Sequence, residues 1–179
     1  FDDLRPRIKY PKEPLGPSEQ RQVEDYFLAL SHRRYELSGD PEQSRIGRDR
    51  LRSLALSYGG TADSYFEAHC RLYNNPDQNP AEFWGEKTPR HAFRIPEIAD
   101  AFPSSRFVFM LRDPRSVVLS YSRWTDKFNA GNIDDLDLRE QATIDTARAK
   151  RSYHPVIATL VWKAAAKAAI VARDRLGDD

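Results

Sequence analysis

Apolar residues recur at three- and four-residue spacing along most of this chain, and at one place they run together. From Ser18 onward Val23, Tyr26, Phe27, Leu30 and Leu37 mark one face of a helix, which Gly39-Asp40-Pro41 stops. Ile46, Leu51, Leu54 and Tyr58 predict a second helix over 42–57, closed by Gly59-Gly60. Thr61 suits the cap of a third, which turns Tyr65, Phe66, Cys70 and Tyr73 inward. Asn74 to Pro80 reads as a loop. Thr88 as cap and Pro89 as first residue open a further helix carrying Phe93, Ile98 and Phe102, which Pro96 must kink or break in two.

Pro103-Ser104-Ser105 then turns the chain into the apolar run that ends at Arg112. A short apolar run bounded by turn signals predicts a buried strand of the parallel type over 106–112. Asp113 and Pro114 cap and begin a helix running to about Trp124. Residues 125–136 are polar and irregular, 137–151 helical, and Pro155 opens a last helix that ends near Leu176 with Gly177 as its stop. The first seventeen residues are proline-rich and form an extended lead-in. A single strand cannot make a sheet, so its neighbours are expected outside this chain. There is no internal repeat.

Composition narrows the classes. Lys and Arg number 28 against 27 Asp and Glu, and the near balance gives no electrostatic support to nucleic-acid binding. The lone Cys70 excludes an internal disulfide framework and favours a reducing compartment. His32, His69, His91 and His154 show no metal-ligand spacing, so no metal is expected. The tract at 156–172 is interrupted by Trp162, Lys163 and Lys167 and reads as a soluble helix rather than a membrane span. No signal-peptide pattern opens the chain.

Two junctions carry the chemistry. At Arg112-Asp113-Pro114 a guanidinium sits at the end of the apolar run and the start of a helix, where unpaired N–H groups and the helix dipole favour an anion. Lys87-Thr88-Pro89 repeats the arrangement with an ammonium group. Ser116, Ser120 and Arg123 make a polar edge on the helix after Arg112, so the Ser120 hydroxyl could add a hydrogen bond to a phosphate that Arg112 holds. The plainer alternative is punctuation, with Arg112 merely pairing a carboxylate and Lys87 solvated. His91 stands near Lys87 and is a candidate catalytic group, with capping or packing as its other reading. Trp84 and Trp124 could wall a pocket or pack. Glu86 is the carboxylate nearest these groups, and a local ion pair suits it better than the role of base.

Glu86-Lys-Thr-Pro-Arg-His91, Ile95-Pro-Glu-Ile98, Phe102-Pro103 and the run from Phe107 to Tyr121 resemble the central section of sulfotransferases that use 3′-phosphoadenosine 5′-phosphosulfate. The Arg-Asp-Pro-Arg form is most similar to the bacterial and Golgi-type branches. The resemblance is specific over about 84–124, and Trp162 fits the family's usual continuation. It implies an α/β fold like that of P-loop NTPases. It also implies that Arg112 and Ser120 bind the 3′-phosphate and that Lys87 faces the reacting centre. The co-substrate would be the phosphosulfate, and the acceptor a small molecule, carbohydrate or peptide with a hydroxyl or amine. The family's Gly/Ser/Thr loop for the 5′-phosphosulfate, its usual base and its C-terminal strand have no counterpart in this sequence, unless Asp2 or Asp3 stands for the base. On the resemblance, then, 1–179 is part of a sulfotransferase domain: lead-in 1–17, helical substrate region 18–83, 3′-phosphate core 84–124 and helical region 125–179. Such a piece is expected to be inactive alone, and to come from a bacterial cytoplasm or, in a eukaryote, the Golgi lumen. Two rivals remain: a phosphoryl-transfer enzyme of related fold, and a non-enzymatic helical module in which both junctions are structural.

Overall fold

Six α-helices and two 3₁₀ turns form the described part of the chain in a computed structural model, which describes residues 8, 12–32, 39–123, 143, 147 and 154–177. The chain divides into two units, Phe1–His91 and Ala92–Asp179.

In the first unit α1 (Pro17–His32), α2 (Arg48–Ser57) and α3 (Ala62–Leu72) pack against one another. Val23, Phe27 and Leu28 of α1 meet Leu51 and Ala55 of α2 and Tyr65, Ala68 and Leu72 of α3 in one buried cluster, which Ile46 joins. The helix expected over 42–57 is two elements. Asp40 caps a 3₁₀ turn, Pro41–Gln43, by accepting from the Glu42 N–H, and α2 begins only at Arg48. Ile46 lies between them and is buried without being helical. Gly59 and Gly60 end α2 at φ +106° and +67°, where a side chain would be strained. Thr61 caps α3 as predicted, its hydroxyl accepting from the Ser64 N–H at 3.1 Å.

A buried carboxylate ties the three helices together. Glu24 of α1 is fully buried and accepts from Arg52 Nε and Nη2 at 2.7 Å each, Gln20 Nε2 at 2.8 Å and Tyr65 Oη at 3.1 Å. Burial acts to raise its pKa, but the hydrogen bonds from Arg52 and Gln20 overcome that and bring it from 4.5 down to about 2.

In the second unit Pro96 breaks the expected helix in two. A 3₁₀ turn, Pro89–Phe93, stops at Arg94, and α4 (Ile95–Ala101) starts with Pro96 in its first turn, where the missing N–H does no harm. α5 (Pro114–Ser122) and α6 (Pro155–Leu176) pack together. His154 caps α6 through Nδ1, which accepts from the Val156 N–H at 3.3 Å. The predicted helix at 137–151 lies outside the described residues except Thr143 and Ala147, both helical, and Trp124 lies outside them too.

The predicted strand at 106–112 is not formed among the described residues. A strand is defined by its ladder, and residues 106–111 find no backbone partner there. Exposure still alternates, 39% for Phe107, 86% for Val108, 36% for Phe109 and 86% for Met110, which is the two-residue period of side chains on opposite sides. The pattern reports how the side chains are disposed, and the pairing it suggested is missing among the described residues. A second correction concerns α6. An 18-residue window of mean hydropathy 1.5 makes it long and apolar enough to cross a bilayer by length and composition, because two lysines do not offset so much Ala, Val, Ile and Leu. Its contact with α5 is equally what a helix packed within a protein makes.

Candidate functional site

The second unit carries the Arg112 junction. Asp113 caps α5 as the sequence predicted, but it fills the anion position itself. One carboxylate oxygen accepts from the Arg115 N–H at 2.8 Å, and the other pairs with the Arg115 guanidinium at 2.7 Å. Those bonds, with the side-chain contact to Arg115 foremost, hold the Asp113 pKa down at about 2. The helix N-terminus is therefore already satisfied, and a ligand anion would be held by side chains instead.

Arg112 is the side chain left for it. Its guanidinium is exposed and makes no hydrogen bond or ion pair among the described residues. Its carbonyl oxygen is gripped, accepting from Trp162 Nε1 of α6 at 3.0 Å across 50 positions of sequence. Ser116 and Ser120 stand three and seven residues after the cap, on the same face of α5, with Ser120 exposed. Trp162 is the residue at this junction that the sequence undervalued. It was legible only as an aromatic in an apolar helix, because its partner is a backbone atom far along the chain.

The Lys87 junction, in the first unit, departs from expectation. Pro89–Phe93 is a single 3₁₀ turn of five residues and not an α-helix start, so no helix dipole of consequence gathers there. Thr88 does not cap it with its side chain: the hydroxyl donates to Glu86 Oε1, while the Thr88 carbonyl accepts from the His91 N–H at 3.0 Å. The other oxygen of Glu86 lies 2.6 Å from His91 Nδ1. Glu86 is thus engaged locally, as the sequence suggested, and its partner is His91. Both side chains are mostly covered, with 27% and 18% of their surfaces exposed. A carboxylate on Nδ1 fixes the proton there in the neutral ring and makes Nε2 the basic nitrogen. Lys87 is exposed, without a hydrogen bond or ion pair among the described residues.

Other candidates resolve as packing. Trp84 meets Phe66 edge to face with ring centroids 5.7 Å apart. Burial pushes the Cys70 thiol up to about 12, which leaves it unreactive near neutrality.

The family model described as "Sulfotransferase family" matches residues 13–161. The chain belongs to the sulfotransferase family. No curated protein and no solved structure matches it. Membership makes it a transferase of sulfonate groups in the general sense. The match covers both junctions of this sulfotransferase, from Glu86–His91 through Arg112–Ser120, together with Trp162's neighbour Val161.

Proposed function

We propose that this sulfotransferase takes its sulfonate from 3′-phosphoadenosine 5′-phosphosulfate and passes it to an acceptor hydroxyl or amine on a small molecule, carbohydrate or peptide. The observation that carries the reading is the exposed Arg112 guanidinium, without a hydrogen bond or ion pair among the described residues, eight positions before an exposed Ser120 on the helix that follows it. That donor set fits a phosphate: a planar fork of N–H groups with a hydroxyl beside it. Arg112 and Ser120 hold the 3′-phosphate in this reading. When bound, the phosphosulfate supplies the activated sulfonate. Lys87 neutralises negative charge growing on the oxygen that departs from sulfur. His91, with Glu86 on Nδ1, accepts at Nε2 the proton that the acceptor loses as its oxygen or nitrogen bonds to sulfur. Family membership also favours a P-loop-like fold. These 179 residues bind the 3′-phosphate end without turning over, since the loop for the other end was not found in their sequence.

Calorimetric titration with adenosine 3′,5′-bisphosphate tests the half-site. The wild-type chain should bind, and an Arg112→Ala, Ser120→Ala double variant should lose about 30-fold or more in affinity, the worth of roughly one charge-assisted hydrogen bond plus a neutral one. Comparable binding by the two chains would overturn the assignment.

A further inference from the structure

We infer that Trp162 is a positioning residue for Arg112: its indole N–H, by holding the Arg112 carbonyl, sets where the guanidinium can meet a phosphate. The inference rests on the 3′-phosphate reading above. It starts from what is missing around Arg112. In a paired strand the ladder would fix the register of the apolar run, and with it the point where Arg112 leaves the backbone. Residues 106–111 have no such ladder among the described residues. The run is therefore fixed at its end by two devices. The Asp113 cap ties the following residue to α5 through the Arg115 N–H at 2.8 Å. The Trp162 N–H ties the Arg112 carbonyl to α6 at 3.0 Å.

The two act on different atoms, and this separates their roles. The cap sets the direction in which α5 departs, and so the position of Ser120 six residues inside it. The indole sets the peptide plane between Arg112 and Asp113, hence the direction of the Arg112 Cα–Cβ bond relative to that helix. A guanidinium lies several bonds from its Cα, so a small rotation of that plane moves the fork far enough to lose one of two parallel hydrogen bonds to a phosphate. α5 and α6 pack together, so the donor and the helix bearing Ser120 are parts of one assembly within the second unit. Trp162 is suited to the task because it is an N–H donor with no acceptor of its own, carried on a large ring with two torsions.

The test uses the whole chain and adenosine 3′,5′-bisphosphate. Trp162→Phe keeps an aromatic ring in the helix contact and removes the N–H. It should weaken binding about three- to ten-fold, the range set by one hydrogen bond. It should also flatten the dependence of affinity on salt, because a displaced guanidinium loses its screened attraction to the phosphate. A merely structural role would weaken binding and leave the salt dependence alone, which would overturn the inference. So would an affinity within twofold of wild type. Should Trp162→Phe fail to fold, hydrogen exchange at the Trp162 indole in the wild type decides. Saturating bisphosphate should slow it at least about threefold by closing the motion that breaks the Arg112 contact, and an unchanged rate would overturn the inference. If the wild type does not bind the bisphosphate at all, the half-site reading itself falls. If it binds and only the Trp162 results fail, the half-site stands without this positioning residue.

Discussion

His69 is the residue whose environment is most at odds with its chemistry. It is 5% exposed, it stacks on Phe27 with ring centroids 5.0 Å apart, and its Nδ1 has no hydrogen-bond partner among the described residues. Burial lowers its pKa from 6.5 to about 4. The unfolded chain therefore binds this proton more readily than the folded one. The contribution to stability is intact above pH 6.5 and is lost as pH falls toward 4, where it levels off. We expect His69→Phe to remove this part of the pH dependence, which is on the order of 3 kcal/mol for a shift of that size. Urea unfolding of both chains at neutral and mildly acid pH measures it, and parallel stability curves would refute the assignment. The sequence hid this residue by a shift of one position. The inward face of α3 is Tyr65, Ala68, His69 and Leu72, with Ala and His in the middle. Counting only obvious apolar residues gave Tyr65 rightly, with Phe66, which packs against the core, Cys70, and Tyr73, which is 41% exposed, and it passed over Ala68, His69 and Leu72. Periodicity finds a face only when its residues are recognisably apolar.

Among the elements, the helices of the first unit were legible because their stripes and stops are local signals. What joins them was not. Glu24 sits in the apolar stripe of α1 between Val23 and Phe27, where a carboxylate looks like an error in the pattern. Only the fold brings Arg52 to it from 28 positions away and Tyr65 from 41. Removing the carboxylate takes away the shared acceptor of Gln20, Arg52 and Tyr65, so Glu24→Ala should destabilise the chain by about 1–3 kcal/mol. A Glu24→Met, Arg52→Met double variant should recover part of that, since it removes both charges together. Thermal melts of wild type, Glu24→Ala and the double variant give the comparison, and a double variant no more stable than Glu24→Ala would contradict it. Acid adds a second readout. The folded-state pKa is depressed, so the stabilisation is present above about 4.5 and is lost as pH falls toward 2, which places this loss below the His69 window. The same locality explains the failure at 106–112. The run of Phe107 to Leu111 announces a strand, but a strand is made by neighbours that its own residues do not encode.

At the scale of the molecule the two units differ in how much each buries by itself. The first has a continuous core built from α1, α2 and α3, with Val23, Leu51, Tyr65 and Leu72 fully buried around the Glu24 network. In the second, the buried hydrophobic residues among those described are Ile95, Ala158 and Ala172, two of them alanines. Val108, Met110, Leu111, Leu160 and Val171 are each more than half exposed. Since burial of apolar area drives folding, the first unit contains a sufficient cause for its own stability, and the described residues of the second do not supply one. The candidate residues are divided between them, Lys87 and His91 in the first and Arg112 and Ser120 in the second. Their residue types and spacing were legible in the sequence, as was the Asp113 cap. The grip of Trp162 on Arg112 and the use of the helix start by Asp113 itself were not, since both depend on which atoms the fold brings together. We expect residues 1–91 made alone to unfold in one cooperative thermal transition. Residues 92–179 made alone should melt gradually and bind a hydrophobic dye, because Val108, Met110, Leu111, Leu160 and Val171 are more than half exposed among the described residues. A sharp transition without dye binding in 92–179 would show that the second unit holds a core of its own. The division of stability between the halves would then have to be redrawn.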